Sequence, residues 1–149
     1  MGAAQNIKKR LVKTPRLYWR DSGLLHALMR VGDLGQLYRQ PWLGQSWEGF
    51  VIEQTLATLS AVEKRASPYF LRTSDGYELD LVLDWGAERW AVEIRLTSNP
   101  SSAMIDRLHQ TADMINATRR VLVCRVAGKI KNERLQVVSL PVWLRELAS

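Results

Sequence analysis

The stretch GYELDLVLDWGAERWAVEIR, residues 76–95, constrains this chain more than any other, because alternation on both sides of a Gly-Ala pair specifies a β-hairpin. Gly86-Ala87 forms a two-residue loop with glycine first, as a type II′ turn prefers. That loop sets the register: Trp85 opposite Glu88, Asp84 opposite Arg89, Val82 opposite Ala91, Asp80 opposite Glu93 and Glu78 opposite Arg95. Side chains alternate between faces, so Tyr77, Leu79, Leu81 and Leu83 share a core face with Trp90, Val92, Ile94 and Leu96. The other face, turned to water, carries Glu78, Asp80, Asp84, Arg89, Glu93 and Arg95.

Asp80 and Glu93, directly opposed, would have Cβ atoms about 5 Å apart. Two carboxylates that close repel unless a cation lies between them, either a Mg²⁺-type ion suited to hard oxygen donors or a neighbouring arginine. The alternative is a wet sheet face laced with ordinary cross-strand salt bridges, Asp84 with Arg89 and Glu78 with Arg95. A slip of one residue would move Asp80 to the other face and remove the pairing.

The rest of the chain reads as α/β around this hairpin. A strand is expected at 16–20 and a helix carrying Leu24, Leu25, Leu28 and Met29 after the Asp21-Ser22 cap. A longer helix runs from about Gln45 to Lys64, its stripe formed by Trp47, Phe50, Val51, Leu56, Leu59 and Val62. Glu48 flanks that stripe, a place for a carboxylate that turns toward a polar site. Pro68–Thr73 is a strand, and Ser74-Asp75-Gly76 turns it into the hairpin, giving a three-strand antiparallel meander. Ser101 or Ser102 caps a helix that sends Met104, Ile105, Leu108, Ala112 and Ile115 toward the sheet, and Val121–Val126 returns as a parallel strand. Leu135–Ser139 is a last strand, and Pro141 opens a terminal helix. Residues 13–149 therefore form one domain, preceded by an arm over 1–12.

The formal charge of +6 is concentrated near the N-terminus, over residues 8–20. Lys8, Lys9, Arg10, Lys13, Arg16 and Arg20 precede the first acid, Asp21, and the remainder holds fifteen basic against fifteen acidic residues. A basic arm on a neutral domain fits a polyanion, nucleic acid being the usual one, or serves as a solvated linker. Cys124, the one cysteine, lies in an apolar run and reads as a buried small hydrophobe; His26 and His109 have no ligand neighbours at zinc spacing. No apolar stretch approaches the roughly 20 residues of a membrane span, so the expected location is the cytoplasm and no membrane partner is expected.

The element order, with an acid on the second meander strand and an acid-x-base tripeptide on the third, resembles the core of restriction-endonuclease-like nucleases with the PD-(D/E)XK signature. More narrowly, KRLVKTPRLYWRDSGLLHAL, LGQSWEGFVIEQTL, YFLRTSDGYELDLVL and WAVEIR resemble the uncharacterised C-terminal domain that follows the motor in prokaryotic AAA-type ATPases. The resemblance covers roughly residues 10 to 147. It implies a mixed central sheet flanked by helices, with Asp80 and Glu93 as Mg²⁺ ligands, Glu48 as an accessory acid, and nucleic acid or an ATPase motor as partner. Arg95 stands where the signature has lysine; arginine cannot serve as a base but can clamp phosphate, as can Arg72. With Lys8, Lys9, Arg10 and Lys13, Arg72 completes the expected nucleic-acid contacts. No G-x-x-x-x-G-K-[ST] segment is present, so no ATP site of that type is expected. Two functions follow from the resemblance: metal-dependent phosphodiester hydrolysis, or a non-catalytic regulatory domain of an ATPase.

Overall fold

The computed structural model describes residues 11–13, 43–132 and 134–149. Seven strands form one mixed sheet: β1 (Leu11–Lys13), β2 (Ser67–Arg72), β3 (Glu78–Asp84), β4 (Arg89–Ile94), β5 (Arg119–Val123), β6 (Lys129–Lys131) and β7 (Gln136–Val138). Three helices accompany them: α1 (Leu43–Ala61), α2 (Ser102–Met114) and α3 (Leu140–Ala148). The spatial order is β1-β2-β3-β4-β5-β7-β6. β1 to β4 pair antiparallel, and β5 then lies parallel to β4 and to β7. The expected meander and parallel neighbour are thus present. The strand and helix expected within residues 16–32 lie outside the described residues.

The hairpin forms in the register its loop dictates. Leu81 pairs with Val92, Val82 with Ala91, Leu83 with Trp90 and Asp84 with Arg89. The Trp85 N–H donates to the Glu88 carbonyl at 2.9 Å. Gly86 takes φ +92°, a left-handed conformation that a side chain resists.

One feature of β3 departs from simple alternation. Tyr69 of β2 pairs with Val82, but Leu71 pairs with Leu79, so Asp80 and Leu81 together face Phe70 alone. This β-bulge puts Leu79 in the same cluster as Val82, under α2, whereas Leu81 and Leu83 pack on the opposite side. The single core face expected to hold Leu79 with Leu81 is therefore corrected: an extra residue resets the parity of the strand.

Nor does the sheet have a wet face. Leu81, Leu83, Val92, Ile94, Val121 and Val123 lie against Val51, Ile52 and Leu59 of α1 and Trp143 and Leu147 of α3. Val82, Ala91 and Leu122 lie against Leu108, Ala112 and Ile115 near α2. Apolar burial on both sides is what the parallel half demands, since its crossover helix must cover one face.

Local sequence explains the helices. Ser101 caps α2 by accepting from the Met104 N–H at 3.2 Å, and Ser139 caps α3, with Pro141 in its first turn. In α1 the buried stripe runs through Val51, Ile52, Thr55 and Leu59. Val62, expected within it, is past the helix end and exposed. Thr55 survives in this core because its hydroxyl donates to the Val51 carbonyl at 2.7 Å and accepts from the Trp143 indole at 3.0 Å. Cys124 is buried as expected. Among the described residues no helix is long and apolar enough to cross a membrane.

Candidate functional site

Asp80 enters from β3, Glu93 from β4, Glu48 from α1 and Arg95 from the residue after β4. The β3–β4 ladder gives out just before the acids, its last pair being Leu81 with Val92. One step on, the Asp80 carboxylate replaces a backbone acceptor: its Oδ2 takes the Ile94 N–H at 2.8 Å. The bulge at Asp80-Leu81 re-aims the acid at the point where the two strands part. A sequence pattern of period two cannot signal that; the expected Asp80–Glu93 strand pair is not part of the ladder, but the two carboxyls lie within hydrogen-bond reach of each other.

Arg95 ties the acids together. Its Nη2 lies 3.2 Å from Glu93 Oε1 and its Nη1 4.0 Å from Asp80 Oδ2. The acids are sheltered, with side-chain exposures of 12% for Asp80 and 6% for Glu93, whereas Arg95 keeps 44% and reaches solvent. The expected Glu78–Arg95 pair does not form; Glu78 instead meets Arg72 at 3.6 Å, and both are exposed. Arg72 thus stands outside the acid cluster. Asp84 and Arg89 do pair, at 3.9 Å.

Crowding shows in the protonation of the carboxyls. Burial, with hydrogen bonding to and repulsion by Asp80, pushes Glu93 up to about 10, against a smaller opposing pull from Arg95. Burial and the Asp80 charge push Glu48 up to about 7. Both glutamic acids are within hydrogen-bond reach of Asp80, so at neutral pH the cluster relieves its repulsion by keeping protons. Asp80 is the centre, bonded to the Ile94 backbone and flanked by a glutamic acid on each side.

Among the described residues, no group of three or more His, Cys, Asp or Glu is placed so that it could hold a metal ion. The donor chemistry nevertheless suits a hard cation: Asp80, Glu93 and Glu48 offer only oxygens, and the protons kept by the two glutamic acids, with the Arg95 guanidinium, supply the positive charge a divalent ion would bring. Such an ion, held by these carboxylates, would take the place of the protons.

Of the arm, Lys8, Lys9 and Arg10 lie outside the described residues; Lys13 contributes backbone to β1, opposite Tyr69. Lys64, past the end of α1, is committed elsewhere, donating to the Leu147 carbonyl at 2.9 Å. His109 sits against Arg120, with 2.8 Å between Nη1 and Nδ1.

The residues missed in the sequence lie at the other end of β4 and β5. Arg119 stacks over Trp90, 4.5 Å from the ring centre, and binds Gln136 Oε1 at 2.7 Å and Glu146 at 2.9 Å. The available signal was six cationic residues, Arg119, Arg120, Arg125, Lys129, Lys131 and Arg134, within one short span of sequence. β6, the strand that holds two of them, is only three residues long, too short for a period-two pattern to mark it.

Comparison with known proteins matches residues 43–143 to the model of the family described as Domain of unknown function (DUF4143). Two curated relatives are uncharacterized protein Mb2031c of Mycobacterium bovis and uncharacterized protein Rv2008c of Mycobacterium tuberculosis. Each is 43% identical over 108 residues, covering 68% of this chain and 23% of the relative. The aligned region thus spans about a quarter of the length of the relatives it matches.

Proposed function

We propose a function for a chain that belongs to the DUF4143 family: it is a nuclease-like module with a PD-(D/E)XK-type core that engages nucleic acid. One observation carries the reading, the convergence of three carboxyls from α1, β3 and β4 beside an exposed arginine. In this reading Asp80 and Glu93, with Glu48, hold a Mg²⁺-type ion. When bound, such an ion lowers the pKa of a coordinated water and stabilises charge on a phosphate. The chain's own part is to fix Asp80 through the Ile94 N–H, to shelter the acids from bulk water, and to present the Arg95 guanidinium to a phosphate oxygen.

Arg95 also favours a second reading, a non-catalytic domain that positions an ATPase motor or its partner. Its guanidinium, beside both Asp80 and Glu93, supplies a positive charge to the cluster without metal, and arginine cannot take the water-activating part of the signature lysine. In the longer relatives, this reading places the motor outside the matched quarter.

A cleavage assay separates the two. Labelled single- and double-stranded DNA and RNA are incubated with the protein in Mn²⁺ or Mg²⁺, alongside Arg95→Lys and Asp80→Asn. The nuclease reading expects cutting that Asp80→Asn abolishes and that Arg95→Lys raises. Intact substrates with both the natural chain and Arg95→Lys would leave the non-catalytic reading.

A further inference from the structure

A second concave site lies at the far end of the strands from the acids. In the parallel register Trp90 stands beside Arg119, and Glu93 beside Leu122. The three residues from Trp90 to Glu93 put the two sites about 10 Å apart along the strand. The cavity has a volume of about 560 Å³, within the range of small-molecule sites. Its walls carry five cationic side chains, Arg119, Arg120, Lys129, Lys131 and Arg134, against two carboxylate side chains, Glu88 and Glu146.

The charge is partly organised and partly uncommitted. Glu146 gathers Arg119, Lys129 and Gln136, drawing their donors to one point. Arg119 is held over Trp90, lies 5.4 Å from the Trp143 ring centre and donates through Nε and Nη2 to Gln136 and Glu146, so its guanidinium is fixed in place before any ligand arrives. Glu88 is occupied by the Trp90 indole N–H at 3.2 Å. Asp113, outside the cavity wall, pairs with Arg120 but meets Arg134 only at 4.0 Å, between groups that are largely exposed. Lys131 forms no salt bridge among the described residues. A pre-set arginine fork with loosely held cations around a nucleotide-sized hollow matches a ligand with several phosphate oxygens.

We infer that this cavity binds the phosphates of a phosphorylated ligand, a nucleoside diphosphate or a stretch of nucleic-acid backbone. The inference does not rest on the nuclease-like reading, since none of its residues belongs to the acid cluster.

Calorimetric titration of the full chain with sodium pyrophosphate, ADP and a single-stranded dodecanucleotide tests it. The comparison is a double variant, Lys131→Glu with Arg134→Glu; both side chains are exposed, so the fold is retained, which circular dichroism checks. Pyrophosphate is expected to bind, weakening with salt, and the double variant to lose at least about ten-fold in affinity. ADP binding without dodecamer binding assigns the site to free nucleotides; dodecamer binding that the double variant loses assigns it to nucleic-acid backbone. Either outcome supports the inference. It is overturned if none of the three binds, or if binding is the same in the double variant. Asp80→Asn, which disables the acid cluster, is expected to leave pyrophosphate affinity unchanged; an equal loss there would place the anion at the acid cluster and overturn the assignment.

Discussion

Replacing Glu93 by Gln should flatten the pH dependence of stability above neutrality. The sign follows from proton counts: Glu93 titrates near 4.5 when unfolded and is pushed up to about 10 when folded. Between those values the folded state holds one more proton than the unfolded state. Stability therefore falls as pH rises, and is lost progressively toward the folded pKa. One extra proton corresponds to on the order of 1 kcal/mol per pH unit, so about 2 kcal/mol is lost between pH 7 and 8.5.

That window isolates the residue. His109, whose pKa is lowered by burial and Arg120, is neutral in both states above pH 7. Glu48, pushed up to about 7, acts mainly below it. The Cys124 thiol, raised from 9 by burial, acts above it. Glutamine is the neutral isostere of the protonated acid, so Glu93→Gln keeps the packing and removes the titration. Urea unfolding at pH 7, 7.75 and 8.5 reads the effect. A natural chain whose stability is flat or rises across the window, or a variant with the same slope, would refute the reasoning.

Three further outcomes follow from packing. Thr55→Val leaves the buried Trp143 indole N–H, now 3.0 Å from the Thr55 hydroxyl, without a partner, and should cost about 1–3 kcal/mol in urea unfolding; no measurable cost would show that the bond contributes nothing. Ser101→Ala removes the α2 cap and should cost about 1 kcal/mol, with Ser101→Gly costing only a few tenths; equal losses would point away from capping. Gly49 lies inside α1 with nothing within 4 Å of an added Cβ, so Gly49→Ala should stabilise by about 0.5–1 kcal/mol, and a destabilised variant would reveal a close approach that the fold does not show.

Much of this was legible in residue order because local rules and the fold agree. The Gly86-Ala87 loop fixed the hairpin register through turn geometry alone, and Leu108, Ala112 and Ile115 announced the buried stripe of α2 by helical spacing. The nearness of Asp80 and Glu93 followed from that register, although the ladder ends one pair before them. What period two could not express was the bulge at Asp80-Leu81, which depends on how β2 meets β3. It moved Leu79 to the α2 side and redirected Asp80. Burial of both sheet faces was also hidden, because Glu93 reads as a water-facing residue unless its partners are known. For the same reason Arg95 was assigned to Glu78: cross-strand opposition ignores that a long side chain reaches back to the acid two residues before it on its own strand. The cavity around Arg119 needed β5, β6, β7 and α3 together, and β6 is three exposed residues with too short a pattern to read.

In the proposed function Asp80, Glu93 and Glu48 act as one electrostatic unit that exchanges protons for a divalent cation. Titration of Mn²⁺ into the protein at pH 7.5, in two buffers of different ionisation enthalpy, measures binding and proton release together. The account predicts binding that releases about one proton per ion, raises the melting temperature, and disappears in Asp80→Asn. Absence of binding, or binding that Asp80→Asn leaves intact, would contradict it.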